Sequence, residues 1–334
     1  MAGSDSADLA VAVSEAGGLG SLACALLSPE LIRAEFVSIR MRTSKPINLN
    51  FFCHQPPANG AERESAWLKQ LEKFYVKLGI SLAAGASGPA RTPFNETHCS
   101  LMEELRPNVV SFHFGLPEAG LVQRLKKAGV TILSSATSVI EARWLEDHGC
   151  DAIIAQGFEA GGHRGMFLSE DISIQTGTMS LVPQIVDSVK VPVIAAGGIA
   201  DARGMVASLA LGASAVQLGT AYLFSPEAKI SPLYRKALTH AQEGQTVLTN
   251  VFTGRPARGI MNLFVKEVGP MSKLVPQFPA AGVAVGPLRT KSEENGSTDF
   301  MQMWSGQSAS LCRSMPAAEL TRALAEESGL RRPS

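Results

Sequence analysis

"VTILSSATSVIEARWLEDHGCDAIIAQG", residues 130–157, changes its hydrophobic period twice, and those two changes decide the fold. Residues 130–137 and 151–157 are short β-rich runs, the second apolar on both faces as a strand buried in a parallel sheet must be. Between them "SVIEARWLEDHG", 138–149, has helical spacing and ends in Gly149, the residue type that best tolerates the left-handed stop of a helix. Strand, helix and strand at this spacing imply a parallel α/β fold.

The unit repeats in both directions. Toward the N-terminus, "LGSLACALL" (19–27), "PINLNFFC" (46–53) and "NVVSFHFG" (108–115) read as strands, as do "VPVIAAGG" (191–198) and "SAVQLGTAYL" (214–223) toward the C-terminus. "PEAGLVQRLKKAG" (117–129) is another helix stopped by glycine. An opening helix, "SADLAVAVSEAGG" (6–18), has no strand before it. An open doubly wound sheet satisfies the alternation, but seven strands plus that helix favour a TIM-type (β/α)8 barrel lacking its first strand.

Two regions exceed a bare barrel. Residues 54–107 form an excursion whose periodic part, "ESAWLKQLEKFYVKLGI" (64–80), is followed by the Gly/Ala/Pro-rich "AAGASGPARTP" (83–93). Residues 225–303 carry proline and glycine throughout and are too long for one barrel helix. The expected organisation is a barrel over 1–224, a second, smaller substrate or lid domain over 225–303, and a segment 304–334 whose helix, "PAAELTRALAEES" (316–328), returns to the barrel.

Composition narrows the partners. Thirty basic and thirty acidic side chains in 334 residues cancel, so no strong field draws in nucleic acid or an anionic membrane. Five cysteines, an odd number with no C-x-x-C pair, fit the reduced thiols of a cytoplasmic protein and give no structural zinc site. The uncharged stretch 204–226 is interrupted by Gly204, Gly212, Gln217 and Gly219, and reads as a helix and a strand rather than a membrane span.

In a barrel the active site lies where strands end, and phosphates bind at the loops after the seventh and eighth strands. Gly197-Gly198 and Gln217-Leu218-Gly219-Thr220 occupy those ends, where backbone N–H groups and the Thr220 hydroxyl can approach a phosphate. Tight packing at two strand-to-helix turns would use the same glycines. "QGFEAGGHRG" (156–165) follows the sixth strand on the same face, with Gly161 and Gly162 permitting close approach and His163 placed to exchange a proton near neutral pH. His113 ends the fourth strand and points at the same space, whereas His54, His98, His148 and His240 read as structural. Asn50 and Gln156 are amides on apolar strands, able to hold a planar heterocycle or to make a satisfied core hydrogen bond.

These residues resemble those of the FMN-dependent nitronate monooxygenases, formerly 2-nitropropane dioxygenases. The class I signatures are matched, in order, by "SEAGGLGSL" (14–22), "NLNFFCH" (48–54), "SFHFG" (111–115), "AQGFEAGGHRG" (155–165), "AAGGIADARG" (195–204), "GASAVQLGTAYL" (212–223), "TGRPARG" (253–259) and "WSGQ" (304–307). The resemblance implies FMN contacted by Asn50, Gln156, Gly161, Gly198, Gln217, Leu218, Gly219 and Thr220, with His163 as catalytic base and His113 lining the substrate pocket. It implies oxidation of alkyl nitronates, or of nitroalkanes after deprotonation, by O2 to a carbonyl compound and nitrite, with no nicotinamide, no metal, and a homodimer as an option. Flavin-dependent enoyl-acyl-carrier-protein and quinone reductases share the architecture and form the alternative, as does a paralogue with weak or no activity. The family's chains also carry a first strand leading into Pro-Met-Ala-Gly, of which Met1-Ala2-Gly3 is the counterpart here. Two unpaired parallel edges would then be exposed, so weak flavin retention and poor solubility are expected.

Overall fold

The computed structural model describes residues 3–57, 60–82 and 91–330, so most of the glycine-rich run 83–93 lies outside the described residues. Seven parallel strands form one curled sheet: β1 (Gly20–Ala23), β2 (Ile47–Phe52), β3 (Val109–His113), β4 (Thr131–Ala136), β5 (Ala152–Gln156), β7 (Val193–Ala196) and β8 (Ala215–Gln217), paired in that order. A second sheet is antiparallel, with β10 (Ala257–Ile260) between β6 (Gly162–His163) and β9 (Thr246–Thr249). The alternation read from residues 130–157 is β4, the helix Val139–Asp147 and β5. The predicted glycine stops are present too, with Gly129 and Gly149 at φ +79° and +93°.

The two faces of each strand divide the labour. Ile47, Leu49, Phe51, Val110, Phe112, Ile132, Ile153 and Ala155 point outward and pack with Leu121, Leu125, Leu145, Leu181 and Ile185 of the surrounding helices in one core. The period of two then sends Asn48, Asn50, Ser111, His113, Ser135 and Gln156 to the interior, where all six line one cavity. Each fully buried leucine or isoleucine contributes about 1.5–3 kcal/mol, so a one-residue slip, which would exchange the faces, is excluded.

The barrel wall is open. Among the described residues β1 pairs only with β2 and β8 only with β7, leaving Ser21, Ala215 and Gln217 exposed along the facing edges. The run 214–223 was expected to be one strand, but pairing ends at Ala196↔Gln217 and Thr220–Leu223 is helical. The reason is local: β7 itself ends at Ala196, so nothing remains for the ladder beyond Gln217 to bond.

The excursion helix Ala61–Leu78 does not pack on the barrel core. Its Trp67, Leu71, Phe74 and Tyr75 share a second core with Val251, Phe252, Phe264, Val285, Leu288 and Phe300. The last helix, Ala317–Glu327, returns to the opening helix Ala7–Glu15, where Ala317 packs against Leu9 and Val13. No helix among the described residues is long and apolar enough to cross a membrane.

Candidate active site

After β5 the chain turns back, and Gly162–His163 joins the second sheet with His163 opposite Ala257. The barrel therefore supplies the loop, and the second sheet holds its position. The His163 carbonyl accepts from Gln156 Nε2 at 3.0 Å and from His113 Nε2 at 3.1 Å, while Gln156 Oε1 accepts from the Gly165 amide at 2.7 Å. A carbonyl only accepts, so His113 Nε2 carries a proton and its Nδ1 accepts from the Ser135 hydroxyl. Both nitrogens of His113 are thus engaged within the protein.

Arg164, fully buried, completes the clamp. Its guanidinium donates to the carbonyls of Gln156 and Gly157 at 2.7 Å each and to Gln175 Oε1 at 3.0 Å. The next residue along from His163 is therefore fastened to the end of the strand that delivers it.

The His163 ring lies among Phe52, Phe114, Phe278 and Trp304, with Phe278 nearest at 5.3 Å between centroids. Burial, reinforced by Arg91, His113, Arg255 and His54, holds its pKa well below the ordinary 6.5. Burial likewise lowers His113 to about 3 and His54 to about 4. All three rings are neutral at pH 7. Arg91 and Arg255 fall only to about 10 through burial and stay cationic; Arg255 sits 4.1 Å above the Phe114 ring and Arg91 5.2 Å above Phe278. A neutral base among apolar rings and fixed positive charge suits removal of a proton that leaves an anion.

The ends of β7 and β8 form the other half of the site. The amides of Gly198, Ile199, Gly219 and Thr220 have no protein acceptor among the described residues. Gly198 has φ +70°, a conformation that favours glycine, and a Cβ on Gly219 would meet nothing within 4 Å. The Thr220 hydroxyl accepts from the Gly306 amide at 2.9 Å, which leaves its own hydrogen for a ligand oxygen. These groups open on a cavity of about 1790 Å³ that also reaches Asn50, Gln156, His113, His163 and Gln217. That volume exceeds the ~300–1,000 Å³ of ordinary ligand pockets, because the open wall extends it down the barrel interior to Leu133, Ile154 and Ile194. The residues present fit FMN: unpaired amides for the phosphate at one end and amide side chains along the wall.

The sequence-expected residues thus converge, with qualifications. Asn50 donates to Ser111 Oγ at 2.9 Å, so its carbonyl oxygen is the group left for a ligand. Gln156 is committed to the His163 loop. Gly161 makes a close approach, but to the chain itself: a Cβ there would lie 2.5 Å from the Gly306 amide nitrogen. The "WSGQ" segment therefore locks the glycine loop and Thr220 together, and the Ser308 hydroxyl adds a 2.7 Å bond to the Gly198 carbonyl. Reading the sequence did not single out Arg164, Arg255 or Thr253. His54, read as structural, is buried with its ring 4.8 Å from Phe278, the ring that also packs on His163. The only signal for Thr253 and Arg255 was their place in "TGRPARG".

Comparison with known proteins agrees with this geometry. Residues 1–327 match the family described as Nitronate monooxygenase. A nitronate monooxygenase of Pseudomonas aeruginosa is 41% identical over 98% of this chain and 94% of its own length, and one of Paraburkholderia phytofirmans is 41% identical over 98% and 90%. A solved nitroalkane oxidase from Streptomyces ansochromogenes superposes with a TM-score of 0.91 at 36% identity, covering 99% of this chain and 94% of that one. FabK from Thermotoga maritima superposes with a TM-score of 0.71 at 27% identity, covering 99% and 91%.

Proposed function

The chain belongs to the nitronate monooxygenase family, and from that premise we propose that it oxidises alkyl nitronates, and nitroalkanes after deprotonation, with O2 to a carbonyl compound and nitrite, using FMN. The observation that carries the reading is the neutral His163 imidazole on the wall of a cavity that also holds the unpaired amides of Gly198, Ile199, Gly219 and Thr220. Bound FMN would supply the one-electron and oxygen chemistry that side chains lack.

The chain's own residues handle the proton and the charge. A nitroalkane α-carbon is acidic because the nitro group takes the resulting charge, so one imidazole suffices as base. Arg91 and Arg255 oppose a positive charge on His163 and favour a negative one on the substrate. The ion pair created by proton transfer is therefore stabilised on its anionic side. A preformed nitronate needs no base, and for it His163 orients and neutralises instead. Free cysteines at 24, 53, 99, 150 and 312 suit a reducing compartment such as the cytoplasm.

The second reading is the one the resemblance leaves open, a related FMN-dependent NAD(P)H reductase of the same architecture. One experiment separates them. The purified protein should carry FMN, identified by chromatography after acid release, and should produce nitrite and consume O2 with ethyl nitronate in the absence of nicotinamide. Rapid flavin bleaching by NADH or NADPH, without nitrite from the nitronate, would replace the first reading with the second.

A further inference from the structure

We infer that Thr253 is a positioning residue that fixes the tautomer of His163, making Nδ1 the basic nitrogen presented to the cavity; the inference rests on His163 being the base proposed above. His163 Nε2 lies 2.9 Å from Thr253 Oγ1, and that oxygen lies 3.4 Å from the Arg255 carbonyl. A hydroxyl has one hydrogen. If it were given to Nε2, the imidazole proton would sit on Nδ1, and the Arg255 carbonyl would have no donor among the described residues. With the proton on Nε2 the two contacts form a chain, from Nε2–H to Oγ1 and from Oγ–H to the Arg255 carbonyl. The second arrangement makes two hydrogen bonds where the first makes one, and Thr253 is only 1% exposed, so water does not substitute.

Geometry prevents the ring from escaping the choice. The His163 backbone is held by Gln156, His113 and the pairing with Ala257, and the ring lies between Phe278 and Trp304 at 5.3 and 5.5 Å. Nδ1 has no protein partner among the described residues, and His163 lines the cavity. In the proton transfer the substrate α-C–H bond breaks, its proton joins Nδ1, and the electron pair remains on the substrate as the nitronate. The imidazolium keeps its Nε2–H on Thr253, a bond that strengthens as the ring becomes positive. A hydroxyl acceptor here serves both states of the base without adding a carboxylate's charge beside the anionic product. His54, His113, Arg91 and Arg255 also face this ring, and none of them bonds either of its nitrogens.

The test is ¹⁵N NMR of the histidine-labelled, flavin-loaded protein, with His163 identified by its loss in His163→Asn. The wild type should show Nε2 protonated and Nδ1 unprotonated at neutral pH. Thr253→Val should abolish that preference and lower turnover of a neutral nitroalkane about 10-fold, part of the ~10²–10⁴ a general base contributes, while sparing a preformed nitronate. Thr253→Ser should restore both. A wild-type spectrum with the proton on Nδ1, or a Thr253→Val spectrum unchanged from wild type, overturns the inference. The wild-type spectrum decides even where Thr253→Val does not fold. If nitroalkanes are not turned over at all, the functional reading fails, and the spectra still report on the tautomer.

Discussion

Gly161 and Gly219 lie in the same site and would respond to a side chain in opposite ways. At Gly161 a Cβ meets the Ser305–Gly306 backbone, atoms that cannot rotate aside, whereas at Gly219 it projects into the open cavity. Gly161→Ala should therefore cost about 1–3 kcal/mol through overpacking, read as a fall in Tm. Gly219→Val should leave Tm of the flavin-free protein nearly unchanged and abolish FMN retention on gel filtration. A Gly219→Val protein that stays yellow at full occupancy would remove the β8 end from the cofactor site. His163 gives the second prediction at this scale. His163→Asn should retain flavin yet lose about 10²- to 10⁴-fold in kcat/KM for neutral nitroalkanes, with a smaller loss for preformed nitronates. Equal losses on the two substrate forms would show that His163 is not chiefly a base.

Between residue and domain, β5 and the loop after it act as one element because Arg164 ties them. Its three acceptors are the Gln156 and Gly157 carbonyls and Gln175 Oε1, all met from a fully buried position. Arg164→Met keeps much of the apolar stem and removes every donor. The Gly157 carbonyl keeps the Ala160 amide at 3.1 Å, but the Gln156 carbonyl and Gln175 Oε1 lose their donor. That should destabilise the protein by about 1–3 kcal/mol, visible in chemical denaturation, and should lower kcat because the strand end no longer fixes His163. Unchanged stability would mean that water reaches the Gln156 carbonyl. The edges of the large sheet are the opposite kind of element. β1 and β8 each have one bonded side, and exposed Ala215 and Gln217 mark where the wall is thinnest.

Across the whole molecule, the buried histidines couple the site to stability. His54 at about 4, His113 at about 3 and His163 well below 6.5 are all depressed, chiefly by burial. Below pH 6.5 the unfolded chain binds protons that the folded chain refuses. Stability is thus fully present above about 6.5 and is lost as pH falls toward 4 and then 3. His54, buried, and His113 and His163, whose rings face the cavity and are partly screened by it, can each contribute a slope of at most ~1.4 kcal/mol per pH unit in that window. Asp5, whose carboxyl is raised by burial, acts in the opposite sense above 3.8. Net loss is expected: Tm should fall between pH 6.5 and 4, and His163→Asn should flatten that fall. A Tm independent of pH over this range would contradict the neutral, buried state on which the proposed chemistry depends.

Local pattern determined most of the architecture, because period, capping glycine and strand length are properties of neighbouring residues. The parallel strands, the helices between them, the position of Asn50, His113 and Gln156 on strands, and the glycine-rich ends of β7 and β8 were all legible in this way. Three things were not. The short extent of β8 depends on where its partner β7 stops, which residues 214–223 do not record. The excursion helix Ala61–Leu78 has an apolar stripe that specifies burial but not against which core, and its partners come from residues 251–300. The state of His163 is set by burial together with Thr253, Arg255, Arg91 and His54, brought together from three separate segments. A sequence specifies that a histidine can accept a proton near neutral pH; only the tertiary structure, by excluding water and fixing which nitrogen already has a partner, decides which atom does so and at what pH.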